Sequence, residues 1–178
     1  DHGNGSLTLG TELRIHRSTH WGKIQFAEGL PPNYDPDYHF YEYNGEKDII
    51  SVYTHELYRA SERITLMADL QLVHSRYGIA NEKYLGNNID LSYFFVNPRI
   101  GMNYNFNEQV NTYVSISYTS REPRLRNLYE AEDSYFGATP QFTADTSGGI
   151  VHYDFSQPLA KPEHLLDIEL GFGIHSEV

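Results

Sequence analysis

Tyr93-Phe94-Phe95-Val96-Asn97-Pro98-Arg99-Ile100-Gly101-Met102-Asn103-Tyr104-Asn105-Phe106, then Asn107-Glu108-Gln109, then Val110-Asn111-Thr112-Tyr113-Val114-Ser115-Ile116-Ser117-Tyr118: this stretch decides the fold. In its first arm Phe94, Val96, Pro98, Ile100, Met102, Tyr104 and Phe106 alternate with Tyr93, Phe95, Asn97, Arg99, Gly101, Asn103 and Asn105. In its second, Val110, Thr112, Val114, Ile116 and Tyr118 alternate with Asn111, Tyr113, Ser115 and Ser117. Successive side chains of a strand point to opposite faces, so this period of two gives one apolar and one polar face. Strands of soluble proteins average about 5–6 residues, whereas a tilted strand crossing a bilayer needs about 9–11. Two arms of that length on a short turn predict a transmembrane β-hairpin.

The flanks repeat the pattern. Ser6–His16 reads as a first strand, with Leu7, Leu9, Thr11, Leu13 and Ile15 on one face and Glu12 and Arg14 on the other. A loop from Arg17 to Glu46 carries Pro31-Pro32, Asp35-Pro36 and Asn44-Gly45 as breakers, and connections of such length are usually functional. Lys47–Tyr58 is a second strand, with Ile50, Val52 and Thr54 opposite Ile49, Ser51, Tyr53 and His55; Arg59–Arg63 is a turn. The third strand sets Ile64, Leu66, Ala68, Leu70 and Leu72 against Thr65, Met67, Asp69, Gln71 and Val73, and runs out near Arg76-Tyr77-Gly78. A polar loop reaches about Asp90, and after the central hairpin a third loop runs from Glu122 to Lys161. The last strand alternates Leu166, Ile168, Leu170, Phe172 and Ile174 with Asp167, Glu169, Gly171 and Gly173. Long loops at one end and short turns at the other are the rhythm of an outer-membrane barrel. A soluble β-sandwich, such as a carbohydrate-binding module, also alternates, and is the competing fold. Pro98 lacks a ladder donor and marks a bulge near the rim.

Composition narrows the function. Mean hydropathy is −0.54, and no apolar run approaches the roughly 18 residues of a membrane helix. A barrel tolerates such a value, because only alternate residues meet lipid. A net charge of −11 argues against nucleic acid as a partner. Tyrosine is abundant at 15 residues, suiting aromatic girdles and ligand-facing loops. Cysteine is absent, which excludes a disulfide framework. The ends read as those of a piece of a longer protein, since six strands leave two open edges that lipid does not tolerate.

Three blocks carry a family resemblance. Asn97-Pro98-Arg99-Ile100-Gly101-Met102-Asn103-Tyr104 resembles the P-x-x-G-x-x-Y strand of TonB-dependent outer-membrane receptors. Ser120-Arg121-Glu122-Pro123-Arg124-Leu125-Arg126-Asn127-Leu128-Tyr129 is similar to their strand exit, the FRAP-box region of haem-uptake members. Pro158-Leu159-Ala160-Lys161-Pro162-Glu163 through Glu169 and Gly171 resembles the re-entry N-P-x-L-K-P-E-x-x-x-x-x-E-x-G, with Gln157 in place of its Asn. The resemblance implies an all-β chain, residues 1–178 being part of an antiparallel barrel of roughly 22 strands with a plug inside it. It implies import of a scarce nutrient such as a ferric siderophore across the Gram-negative outer membrane, driven by the TonB energising complex through parts of the chain not in this sequence.

Candidate contacts follow from chemistry at the loop ends. Arg121, Arg124 and Arg126 form the main basic cluster of an acidic chain, and guanidinium pairs bidentately with carboxylate or phosphate. Pairing with Glu122, Glu130, Glu132 and Asp133 in the same loop is the plainer alternative. Tyr34, Tyr38, Phe40, Tyr41 and Tyr43 crowd the first loop beside His39, fit for a flat ligand or for an interfacial girdle. The ligand-contacting set is Arg121, Arg124, Arg126 and Tyr129, with His20, Trp21, Tyr38, His39 and Tyr41; Arg99, Asn103, Asn105 and Tyr113 face the lumen. His16 and His20 lie four apart, a spacing that shares a face on a helix, and the stretch is not helical. They read as solvated rim residues, so neither metal nor cofactor is expected. Catalytic motifs are missing: Asp145-Thr146-Ser147-Gly148 has no second carboxylate to act with, and the chain is not read as an enzyme.

Overall fold

Strands with one apolar and one polar face pair edge to edge into a sheet, and the computed structural model, which describes residues 2–175, contains that sheet. Its strands are β1 (Gly5–Lys23), β2 (His39–Arg59), β3 (Ile64–Ala80), β4 (Ile89–Asn105) and β5 (Val110–Arg121). β6 (Phe142–Ser147) and β7 (Ile150–Pro158) form a separate hairpin within the third loop, and β8 (Glu163–Ile174) completes the sheet beside β5. All neighbours are antiparallel.

The register contains the tilt of a barrel. The row through Gly5 passes Tyr58, Leu66, Met102, Val114 and Leu170. β3 begins at Ile64, two residues below that row, and β5 at Val110, four below it. Such a steady slide, about one residue per strand, is the stagger that lets tilted strands close on themselves.

The face bearing Leu13, Leu70, Ile116 and Leu170 is open: Leu13 is 69% exposed and Leu170 80%. A sandwich would bury these side chains beneath a second sheet about 10 Å away. No sheet covers them among the described residues, and β1 to β4, of 19, 21, 17 and 17 residues, are far longer than the strands of a β-sandwich. Tyr58, Tyr104, Phe106 and Phe172 gather toward the turn end of this outward face. Toward the loop end the apolar band gives way to charge. Arg17 grips Asp48 through both nitrogens at 2.5 and 2.8 Å, and Arg76 grips Asp90 at 2.8 Å twice.

Strand lengths need correction. β1 continues to Lys23 rather than stopping at His16, β2 starts at His39 rather than Lys47, and β3 reaches Ala80. The first loop therefore shrinks to residues 24–38 and the second to 81–88. Above the charged ring the apolar residues change sides. Tyr43, Tyr77, Ile79, Ile89, Leu91 and Phe95 are buried on the polar face, while Glu42, Glu46, Arg76 and Asp90 point outward.

The third loop supplies their partner. It is folded rather than structureless, with a helical turn α1 (Leu125–Leu128), a 3₁₀ turn (Ala131–Phe136) and the β6–β7 hairpin. Leu128, fully buried, packs with Tyr129, Ala131 and Phe142 against Ile79, Ile89 and Leu91. Polar ties hold the loop's root: Lys47 Nζ lies 2.7 Å from Glu122 Oε1, and Tyr77 donates its hydroxyl to the Pro123 carbonyl at 3.0 Å.

Pro98 explains where the loop leaves the sheet. β4 and β5 pair only up to Arg99 and Ser117. Beyond that the proline has no N–H to offer, and Asn97 Oδ1 accepts the Ser120 N–H at 2.9 Å instead. The ladder ends there without a bulge.

Candidate functional site

Polar segments joining long strands must satisfy their own backbone groups, and the second loop does so around one carboxylate. Glu82, 4% exposed, accepts N–H bonds from Tyr84 at 2.9 Å and Leu85 at 2.8 Å. This fixes Lys83 and Tyr84 beside the other two loops. Tyr38 of the first loop shares a hydroxyl hydrogen bond with Tyr84, and the Lys83 ammonium lies 4.3 Å from the Tyr38 ring centre. Tyr34 meets Tyr38 edge-on at 6.3 Å, and Tyr84 meets Tyr135 of the third loop edge-on at 5.2 Å. Phe136, 74% exposed, extends the row. Three segments distant in sequence thus present one aromatic ribbon with a cation against it. Desolvation, then the Tyr38 hydrogen bond, pushes the Tyr84 phenol up to about 12, so it stays neutral at physiological pH.

Beneath the ribbon, on the polar face, a cavity of about 320 Å³ opens between β1, β2 and the root of the third loop. His16, His20, Lys47, Arg121, Glu122 and Arg124 contribute to its lining. The strand runs through His16 and His20, and even spacing on a strand shares a face just as four-residue spacing on a helix does. Both imidazoles meet the Ser18 hydroxyl, at 3.1 and 2.8 Å, and His20 stacks on Tyr43 at 4.8 Å. No third imidazole or carboxylate joins them among the described residues. Burial works to raise the Glu122 carboxyl, but hydrogen bonding and charge from Lys47 outweigh it and hold the group below its usual range.

The arginines separate in their partners. Arg121 donates to Glu163 at 2.7 Å and Arg126 to Glu130 at 2.8 Å. Arg124 has no carboxylate within 4.0 Å among the described residues and is exposed, the freest of the three to meet an anion. Tyr129 is a correction: at 2% exposure it is part of the loop's core, out of reach of a ligand. His39 is bound to Glu42 at 2.6 Å and stacked on Trp21, which lies on the outward face. Tyr41 lies over Gly22, where a Cβ would come within 2.3 Å of its ring. On the polar face lower down, Arg99 donates to Ser115 at 3.1 Å and Asn103 to Asn105 at 2.9 Å. Tyr113 lies flat over Gly171, whose missing side chain makes the room.

The family model for the TonB dependent receptor-like β-barrel matches residues 1–173. The chain belongs to that family. No curated protein matches the sequence. Among solved structures, the TonB-dependent receptor barrel segment is similar to the closed form of the ferric-catecholate import receptor Fiu from E. coli K12. The TM-score is 0.58 and the identity 16%, over 94% of this chain and 26% of that one. It thus spans about a quarter of that receptor's length, and the likeness supports the fold. Within this TonB-dependent receptor segment, sequence reasoning missed Lys83, Tyr84, Tyr135 and Phe136. They are scattered in separate loops: Lys83 and Tyr84 of the second loop meet Tyr38 directly, and the folded third loop brings Tyr135 and Phe136 to Tyr84.

Proposed function

We propose that this segment is part of an outer-membrane receptor of a Gram-negative cell that captures a scarce nutrient at its external loops and imports it with energy delivered through TonB. The nutrient class is an anionic iron chelate, a ferric siderophore or similar. The observation that carries the reading is the aromatic ribbon joining three loops around Lys83. Aromatic faces hold planar ligand groups, and a cation beside them selects negative charge. Arg124, His16, His20 and Lys47 in the cavity below give an anion a second foothold, while Arg99, Asn103, Asn105 and Tyr113 line the lumen. The apolar outward face meets lipid.

Deleting the gene and measuring uptake under iron, cobalamin or glycan limitation tests the transport claim. Loss of import of an iron chelate is expected, and normal import of all three contradicts it. In the intact receptor, Tyr84→Ala should weaken chelate binding about tenfold, the scale of one stacking or cation–π contact. Unchanged affinity would remove the ribbon from the binding site.

A further inference from the structure

The outward face between its turn-end aromatics and the charged ring at its loop end is made of Leu, Ile, Val, Phe and Met, with few polar positions. Glu56 breaks that rule low in the band, in the row Leu7–Glu56–Ala68–Ile100–Ile116–Ile168. An ionisable side chain facing hydrocarbon is costly and by default functional. Here it is built into place. The first residues turn back on themselves, His2 N–H to Gly5 carbonyl at 3.0 Å and Gly5 N–H to His2 carbonyl at 2.7 Å. The turn brings His2 Nε2 to 2.9 Å from Glu56 Oε1. Gly5 clears the space: a Cβ there would lie 2.5 Å from that oxygen and 2.6 Å from the imidazole.

The carboxylate borders an apolar groove. Glu56, Tyr58, Leu66, Ala68, Ile100 and Met102 are among the residues lining a space of about 460 Å³ on this face. Ala68 stands between Leu66 and Leu70 on β3, and its short side chain leaves the depression. A carboxylate at the β2 side of an acyl-sized apolar groove that reaches across to Ile116 of β5 complements one lipid chemistry: a hydrocarbon chain carrying a headgroup that is both cationic and a hydrogen-bond donor.

We propose that Glu56 and the groove floored by Ala68 form a specific site for an aminophospholipid of the inner leaflet. The primary ammonium donates to the Glu56 carboxylate, and an acyl chain lies along Ala68, Ile100 and Ile116. This rests on the membrane-barrel reading above. It differs from general lipid contact in requiring headgroup selectivity.

The test uses the full-length receptor purified in detergent, delipidated, and titrated with phosphatidylethanolamine, phosphatidylcholine or phosphatidylglycerol under native mass spectrometry. Phosphatidylethanolamine should bind about tenfold tighter than the other two, the scale of one charge-assisted hydrogen bond. Glu56→Gln should abolish the preference while leaving overall lipid binding, and Ala68→Leu should lower binding of all three. Equal binding of the three lipids by the unaltered receptor overturns the site, as does a preference that survives Glu56→Gln. Unselective lipid binding defeats this inference alone. A receptor that is water-soluble without detergent defeats the barrel reading beneath it.

Discussion

Leu128→Ala isolates the third loop from the barrel that holds it. Leu128 is fully buried at the centre of the cluster formed with Tyr129, Ala131, Phe142, Ile79, Ile89 and Leu91. The substitution removes three carbon atoms, worth about 2.4 kcal/mol at roughly 0.8 kcal/mol per methylene, and the cavity left behind brings the loss to about 3 kcal/mol. Ladder pairing of β1 to β5 and β8 does not involve this residue, so the loss falls on loop docking, a local opening rather than global unfolding. At about 1.4 kcal/mol per tenfold, the docked state should lose roughly a hundredfold in population against the open one. Hydrogen exchange of the intact receptor in detergent reads this directly. Amides of residues 125–142 should exchange roughly a hundred times faster, and those of β3 below Val73 should not change. Unchanged exchange in the loop, or collapse of the whole barrel, would refute the claim that the loop folds as a separate unit on the sheet's inner face.

Other consequences follow from particular side chains. Gly171→Ala puts a Cβ about 2.0 Å from the Tyr113 ring; the ring must swing off the sheet, at about 1–3 kcal/mol, and the denaturation midpoint in detergent should fall. Leu70→Arg, on the outward face, should cost about 2–4 kcal/mol where the position lies near mid-bilayer, measurable as a reduced folded fraction in vesicles. Glu122 is held below its ordinary range by Lys47, so its contribution to docking is present above the unfolded carboxylate range and lost as pH falls through the lowered value. Protease cutting in the third loop should accordingly be slow at neutral pH and quicken below about pH 4. Lys47→Met should shift that onset to higher pH.

The apolar band was legible because hydrocarbon imposes a strict rule on every second side chain. From Leu7 to Ile15 and from Ile64 to Leu72 the alternation in sequence matches the faces in the structure. Above that band the rule reverses. Tyr41, Tyr43 and Gly45 point inward beneath the third loop while Glu42, Asn44 and Glu46 point out, so a real strand reads as an aromatic-rich loop. Asn44-Gly45, a turn signal in isolation, is overridden by ladder pairing with Thr19 and Ser18 on one side and Ala80 and Ile79 on the other. The arginine cluster was legible as chemistry but not as geometry. Which arginine stays unpaired depends on Glu163, some forty residues downstream and adjacent only through the β5–β8 pairing. Of the ribbon only Tyr34 and Tyr38 had a local signal, and the Glu56 groove had none, because each is assembled from separate strands or loops.

The central claim is that one face of this sheet meets hydrocarbon and the other water. This segment has no cysteine, so in a full-length receptor whose other cysteines are replaced, single substitutions such as Leu70→Cys, Ile116→Cys and Leu170→Cys, each paired with its neighbour Gln71→Cys, Ser117→Cys or Glu169→Cys, give a clean spin-label scan in bilayers. Labels at 70, 116 and 170 should be relaxed by oxygen dissolved in lipid, and those at 71, 117 and 169 by a water-soluble nickel chelate. Equal accessibility of neighbours, or preference for the nickel chelate at all six positions, would contradict it.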